Sequence, residues 1–332
     1  MRITSITPVK DEAPFLLEWV AYHHLIGVND IIIFSNDSSD GTTAMLERLD
    51  ELGLVRHLPN PSMMLDRTKH HLQVIKYVNT WERLRRSDWV VSLDVDEYIC
   101  VNAGRGTLED LFNAVDDANV ISMSQHNFGS SGIETFEDRL TTEQFTWSWD
   151  KESAYNVRTN RRGTKTLTHR SAEPRAWHNH SPVFRPRKTA KVRMVNGSGK
   201  PVEADLTRDV KSLSAPDYGF DLVQLNHYAI RSMEAFLLKK ARGNANHETR
   251  SADLGYWRKY DHNDLQDGCI DRMIPAVAEA VAALKEDREL GTLHTRAVRR
   301  ARARIAEMKS DPEYAALLDA VRAEHLKRRP GR

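Results

Sequence analysis

Residues 89–99 read WVVSLDVDEYI, and this stretch decides the fold. Its first five residues are apolar or small, with two adjacent valines, as a buried strand requires. Three of the next four, Asp94, Asp96 and Glu97, are acids. Such a strand end belongs where a parallel sheet opens to a ligand, because loops and helix N-termini converge beyond the carboxyl ends of the strands. In extended geometry Asp94 and Asp96 point to the same side. Unpaired, two neighbouring carboxylates repel and raise the pKa of one of them, and a cation relieves the repulsion. Mg²⁺ or Mn²⁺, held by one or two carboxylates and completed by phosphate oxygens, suits the pair.

Working outward, the first half alternates β-rich runs with helical ones. RITSIT (2–7) reads as a strand, Pro14 opens a helix that runs to Gly27, and DIIIFS (30–35) is a second strand. NDSSDGT (36–42) turns into the helix TAMLERLDEL, and LVRHL (54–58) is a weaker strand. A single long helix is expected over 68–86, with Leu72, Ile75, Val78 and Trp81 on its apolar face. A helix near 108–115 and the strand NVISMS (119–124) follow. This order predicts an α/β fold, an open, mostly parallel sheet with flanking helices. From 125 to 219 the texture changes to Gly, Asn, His, Arg and Trp with short β-like pieces, TKTLTHR (164–170) and KVRMV (191–195). Helical order returns at RSMEAFLLKKARG (231–243) and persists. The expected division is a domain over 1–245, with two halves (1–124 and 125–245), then a helical C-terminal extension with a basic tail over 246–332.

Composition sets the bounds. With 332 residues, 40% hydrophobic and 29% charged, the chain can bury a substantial core and needs no staple. Cys100 and Cys269 are its only cysteines, which excludes a disulfide framework and a cysteine-based zinc site and suits a reducing compartment. No signal-peptide core and no membrane-spanning run is present, so a cytoplasmic location is expected. The net charge of +1 conceals an asymmetry, because residues 296–332 carry eleven Lys/Arg against five Asp/Glu. Arg296, Arg299, Arg300, Arg302 and Arg304 crowd one expected helix, which could face the acidic body or touch an anionic membrane surface peripherally. No nucleic-acid-binding motif accompanies them, so no nucleic-acid partner is expected.

The blocks KDEAPFLLEWVAYHHLIGVNDIIIFSNDSSDGT, LDVDEYI, FGSSG and NHYAIRSMEAFLLKKARG together resemble the glycosyltransferases of the GT-A fold, in the family 2 and family 92 group. The resemblance covers roughly residues 1–245. It implies a metal-dependent transfer of a sugar from a nucleotide-sugar donor, expected to be a UDP-sugar, to a hydroxyl of a glycan or polysaccharide acceptor, with inversion. It makes Asp94, Asp96 and Glu97 the catalytic acid cluster, with Asp96 on the metal and Asp94 on ribose and metal. Thr7, Lys10, Glu12, Asn36 and Asp37 fall in the nucleotide neighbourhood. Many family 2 members show paired aspartates after the second strand, where this chain has Ser35 and Asn36, so the nucleotide stays open. His227 is the expected third metal ligand, and an imidazole favours Mn²⁺ over Mg²⁺.

The acceptor side is expected around FGSSG (128–132), Trp147, Trp149, Lys165, Trp177, His178 and His180, because a sugar needs aromatic faces beside hydrogen-bonding groups. Glu134, Asp138, Asp150 and Glu173 are eligible as the catalytic base. Two alternatives compete. A noncatalytic carbohydrate-binding scaffold would keep the sheet without turnover. A haloacid-dehalogenase-type phosphatase would carry its DxD on the first strand, with Thr or Val two positions later, whereas this chain has Tyr98 and a fourth-strand motif.

Overall fold

The apolar runs of the first half become the middle of a sheet. A computed structural model describes residues 1–64, 69–115, 117–152, 160–243 and 252–327. Strands β1 (Ile3–Val9) and β2 (Asp30–Ser35) are buried over their whole lengths, as strands covered on both faces must be. Between them Pro14 sits in a short 3₁₀ turn (Ala13–Phe15) that leads into α1 (Leu16–Leu25). Next come α2 (Thr42–Glu51), β3 (Arg56–Pro59), α3 (Pro61–Met64), α4 (His70–Val78), α5 (Glu82–Arg85), β4 (Trp89–Ser92), β5 (Glu97–Val101), α6 (Leu108–Ala114) and β6 (Val120–Asn127). The middle of the chain supplies α7 (Thr141–Gln144), β7 (Trp147–Ser148), β8 (Arg161–His169), β9 (Met194–Asn196), β10 (Ser212–Ser214) and β11 (Val223–His227). The last third holds α8 (Met233–Arg242), α9 (Leu254–Tyr260), β12 (Leu265–Gln266), α10 (Ile274–Glu286), α11 (Arg288–Ser310) and α12 (Pro312–Lys327).

Ten of the described strands form one sheet in the order β3-β2-β1-β4-β8-β6-β11-β5, with β9 beside β6 and β10 beside β8. The run β3-β2-β1-β4 is parallel. Strand β8 enters antiparallel to both β4 and β6, and β11 lies parallel to β6 and antiparallel to β5. This placement of β11 matters for the site, because it sets His227 opposite Glu97 and lets the Tyr228 amide donate to the Asp96 carbonyl at 2.8 Å.

Two expectations about local structure change. The acids after β4 do not continue a strand: the Glu97 amide donates to the Asp94 carbonyl at 3.0 Å, closing a turn, and β5 begins at Glu97. The long helix expected over 68–86 breaks at 79–81 into α4 and α5, and its first residue, Thr68, lies outside the described residues. Asn79 explains the break, since its side-chain amide donates to the carbonyls of Ile75 and Trp177 and its Oδ1 accepts from the Trp177 amide. That cross-link anchors the helix end to a distant loop. Leu72, expected on the apolar face, is exposed.

The helices of the last third share cores with the sheet. Val277, Val281, Leu290 and Ala297 join the main cluster around Trp19, Tyr22 and Tyr98. A second cluster gathers Phe236 and Leu237 of α8, Trp257 of α9, and Leu318 and Val321 of α12. Helix α8 is thereby pinned on its apolar side, which fixes where its basic residues point. Its start is capped by Ser232, whose side chain accepts from the Ala235 amide, and Gly243 ends it with φ 76°. Among the described residues no helix is long and apolar enough to cross a membrane. The basic run on α11, Arg296, Arg299, Arg300, Arg302 and Arg304, is exposed throughout, and Arg300 and Arg304 also line a cavity with Asp11 and Asp40 of the body.

Candidate active site

A cavity of about 360 Å³ opens at the carboxyl edge of the sheet, where β1, β4 and β11 end. The β4–β5 turn brings Asp94, Asp96 and Glu97 to its wall, and β11 adds His227. Strand β8 contributes Lys165, α4 contributes His71, and α8 contributes Lys239 and Arg242. Lys10 and Glu12 come from the end of β1, and Asn179 and His180 from the loop after β8. Tyr256 and Tyr260 of α9 supply the aromatic faces.

Every acid here meets a cation. Lys239 Nζ lies 2.8 Å from Asp96 Oδ2. Burial alone would raise the Asp96 pKa, but Lys239, His227 and Arg231 hold it well below the usual carboxylate range. Asp94 Oδ2 is 3.4 Å from Lys165 Nζ, whose charge outweighs burial and lowers the Asp94 pKa. Glu97 is buried, accepts from Gln125 Nε2 at 2.9 Å and from the Asp94 amide at 3.0 Å, and lies 3.3 Å from Lys165. Burial pushes its pKa up to about 7, with Lys165 opposing and Asp94 and Asp96 adding to the rise. Lys165, almost fully buried, stays charged: burial disfavours the ammonium, and Asp94 and Glu97 more than compensate.

Glu12 ties the end of β1 to α8. It pairs with Arg231 Nη1 at 2.9 Å and with Arg242, and Arg231 also stacks its guanidinium 3.6 Å from the centre of the Phe15 ring. Burial would raise the Glu12 pKa, and the two guanidinium groups reverse the shift. Glu12→Gln keeps the shape but leaves both arginines without their counter-charge, so a stability loss of about 2–3 kcal/mol is expected in urea denaturation. A loss under about 0.5 kcal/mol would show the triad to be neutral. Because the folded pKa is depressed, the stabilisation holds above the unfolded value near 4.3 and fades as pH falls through the folded one, so the wild-type advantage over Glu12→Gln shrinks in acid.

His227 is oriented for a ligand. Its Nδ1 lies 2.8 Å from Asn127 Oδ1, which can only accept, so Nδ1 carries the proton and Nε2 a lone pair. That lone pair faces Asp96 Oδ1 at 3.8 Å. Burial lowers the His227 pKa to about 4, so the ring is neutral at pH 7. Two acceptors facing each other, with the imidazole's far nitrogen hydrogen-bonded, are groups that could hold a divalent cation. Among the described residues no group of three or more His, Cys, Asp or Glu converges on one point, so the chain by itself does not close such a shell.

The cavity gathers only part of the set expected from sequence. Asp94, Asp96, Glu97, Lys10, Glu12, His227, Lys165 and His180 line it. Thr7 is buried within β1, Asn36 is buried after β2, and Asp37 is exposed with φ 44°; none of the three lines it. Trp177 packs in an apolar cluster with Ile32, Phe34, Val78 and Leu84 instead. Trp147 pairs with Gln266 through β7 and β12, Trp149 is buried against the Arg162 guanidinium, and His178 lies outside the lining. The four carboxylates eligible as base are engaged elsewhere: Glu134 by Arg322, Asp138 by His294, Asp150 by the Glu152 amide, and Glu173 by Lys188 and Lys191.

Comparison with known proteins decides the family. The family model for glycosyltransferase family 92 matches residues 3–200, which includes the β1 end, the acid turn and the His180 loop. The chain belongs to glycosyltransferase family 92. Its open, mostly parallel sheet with flanking helices and a helical C-terminal region is the GT-A arrangement that the resemblance implies. A family 92 protein of Oryza sativa subsp. japonica is 29% identical over 146 residues, covering 42% of this chain and 24% of the relative. One from Arabidopsis thaliana is 26% identical over 152 residues, covering 42% and 25%. The match thus spans about a quarter of the length of these relatives. Among solved structures, S. aureus TarS 1-349 is similar at 12% identity and TM-score 0.31, covering 100% of this chain and 92% of that one. Its complex with UDP aligns at 13% identity and TM-score 0.33, covering 93% and 91%. At these scores the likeness carries no argument about the site.

Several residues of this cavity escape a reading of the sequence. Lys239 and Arg242 look like ordinary solvated charges of an amphipathic helix, and Lys239 meets Asp96 across 143 positions. His71 sits in a helix whose beginning carries no motif. The one available signal was the spacing of Lys239 and Arg242 on α8, which puts both on one side of the helix.

Proposed function

We propose that this chain transfers a glycosyl unit from a nucleoside diphosphate sugar, with UDP as the expected nucleotide, to a hydroxyl of a glycan-type acceptor, with a divalent cation, Mn²⁺ before Mg²⁺. The observation that supports it most is the facing pair of acceptors, Asp96 Oδ1 and His227 Nε2, in a cavity that is also lined by four lysines, Lys10, Lys165, Lys239 and Lys259. A cavity with that charge pattern suits a diphosphate and a cation together. The cation, when bound, would neutralise the departing diphosphate as a Lewis acid.

The chain's own residues account for the other tasks. Lys165 and Lys239 present fixed positive charge to phosphate oxygens without reorganising during the reaction. Tyr256 and Tyr260 offer aromatic faces to a sugar. His180 donates its Nδ1 proton to the Thr164 carbonyl at 3.0 Å, which leaves Nε2 as a lone pair in the cavity. Burial, reinforced by Lys165, lowers the His180 pKa, so the ring is neutral at pH 7. It can therefore take the acceptor's proton as the hydroxyl oxygen attacks the anomeric carbon and the diphosphate leaves from the opposite face, which is the inverting course.

The test is a thermal-shift panel of nucleotide sugars with and without Mn²⁺, followed by donor hydrolysis without acceptor. At a concentration 100 times its Kd, a true donor stabilises the fold by about 2.7 kcal/mol. Donor stabilisation with slow hydrolysis is the expected result. Binding of a free glycan with no response to any nucleotide sugar would instead identify a carbohydrate-binding scaffold.

A further inference from the structure

The loop that brings Asn179 and His180 to the donor cavity also borders a second cleft. Its base is closed by an antiparallel bridge, in which the Val183 amide donates to the Ala176 carbonyl at 2.8 Å and the Arg175 amide to the Val183 carbonyl at 2.9 Å. Asn79 holds Trp177 through both the amide and the carbonyl of its backbone, and Asp209 Oδ1 accepts from the Ser181 amide at 2.9 Å. The loop is thus fixed at both ends. Trp177 lines a cleft of about 330 Å³ that shares no lining residue with the donor cavity. Three residues of chain lead from Trp177 to His180, a span of at most about 11 Å between their Cα atoms.

The cleft is cationic. Arg85 of α5, Arg170, Arg175, Arg185 and Lys188 line it, against a single acid, Glu173. That acid is committed to Lys188 and Lys191, and Arg170 is paired with Asp88 at 3.2 Å. Arg85, Arg175 and Arg185 are exposed and have no ion-pair partner among the described residues. Folding thus brings three guanidinium groups to one cleft, from α5 and from both sides of the loop base, with no free carboxylate between them. An oxyanion relieves that repulsion, and the planar fork of a guanidinium matches two phosphate oxygens at once. A nucleic-acid strand would also need open aromatic faces, whereas Trp177, the aromatic residue of the lining, is 8% exposed and packs inward on Ile32 and Phe34. A cleft at the foot of a loop also suits a group carried on a chain better than it suits a broad lipid surface.

We infer that this cleft binds a phosphate-type anionic group borne by the acceptor, close to the hydroxyl that reacts at His180, so that the acceptor is an anionic glycan. The inference rests on the glycosyl-transfer reading of the neighbouring cavity, which makes the glycan at His180 an acceptor.

The experiment is fluorescence anisotropy of the full chain with fluorescein-labelled dextran phosphate and with neutral dextran of the same length, beside calorimetric titration with UDP in Mn²⁺. The cleft variant is Arg85→Gln/Arg175→Gln/Arg185→Gln. A control, Arg296→Gln/Arg299→Gln/Arg302→Gln, removes the same charge from α11. Losing charge-assisted hydrogen bonds to phosphate is expected to weaken dextran phosphate at least about 10-fold in the cleft variant, and less than about twofold in the control. Neutral dextran and UDP should be bound alike by wild type and both variants, and added salt should weaken dextran phosphate. Equal losses in the two variants, or none in either, with UDP still bound, would overturn the cleft and leave the donor reading intact. Displacement by inorganic phosphate at equal total phosphate would identify a site for the free ion and overturn the acceptor assignment. Tighter binding of oligothymidylate or of phosphatidylglycerol vesicles than of dextran phosphate, lost in the cleft variant, would overturn it too. A wild type that binds dextran phosphate through the cleft but does not bind UDP would remove the UDP-donor reading and leave the anionic-glycan site standing.

Discussion

Asp96→Asn is expected to lower glycosyl transfer by roughly 10³-fold while leaving the fold in place. Asparagine preserves the shape and keeps a carbonyl oxygen for Lys239, now 2.8 Å away, so the turn and α8 stay docked. What disappears is the charge that would bind a cation together with His227. Because Lys239, His227 and Arg231 hold the Asp96 pKa far below the usual range, the carboxylate is ionised at any working pH and contributes no limb to a pH–rate profile. His227 does: protonation at Nε2, with a pKa of about 4, would remove the lone pair, so this group adds a loss of Mn²⁺-dependent activity as pH falls toward 4. Initial rates with and without Mn²⁺, set beside circular dichroism of the variant, check this. A variant within threefold of wild type would mean that Asp96 serves the structure through Lys239 and that the cation has no place here.

The parts of this site that were legible in the sequence are those written locally. A buried strand announces itself by an unbroken apolar run, and β1, β2 and β4 emerge within a few residues of where the pattern puts them. The acid cluster was legible because three carboxylates at a strand end have few structural uses. Strand β5 was not, since EYICV follows the acids directly and reads as more of β4; only its antiparallel partner β11, more than a hundred residues later, gives it an identity. The counter-charges were invisible for the same reason. Nothing near Lys239 or Arg242, or near Arg231 just before their helix, indicates that these residues lie against Glu12 and Asp96, because that is settled by Phe236 and Leu237 packing with Trp257, Leu318 and Val321. The tryptophans misled in the opposite direction. Trp177 is aromatic and lies next to polar residues, as a sugar platform would, but burial against Ile32, Phe34 and Val78 gains more than exposure to a sugar would. The tyrosines of α9 border the cavity instead, because a hydroxyl lets an aromatic ring face water.

His180→Ala is expected to reduce the transfer rate by about 10²- to 10⁴-fold, the usual contribution of a general base, with donor binding close to wild type. The expectation follows from where the remaining proton acceptors of the cavity are committed. Asp94 is paired to Lys165 with its pKa lowered, Asp96 faces His227 and is paired to Lys239, Glu97 has both oxygens hydrogen-bonded, and Glu12 is held by two arginines. His71 Nδ1 faces a carboxylate at 3.7 Å. His180 is left with a free Nε2, and its tautomer is set by the Thr164 carbonyl. The groups that act on its charge are Lys165, which opposes protonation, and Asp209 and Asp94, which favour it; burial outweighs them all and places its pKa below the ordinary value near 6.5. The sign follows: the neutral ring is the active form, so the His180 limb of kcat/KM should fall as pH drops through that depressed value, separate from any titration of Glu97 at about 7. In His180→Ala this limb should vanish, and added imidazole should restore part of the rate by occupying the space and accepting the proton. A structural role would lower activity without moving the pH profile and without rescue by imidazole. That pattern would return the search for the base to the acceptor itself.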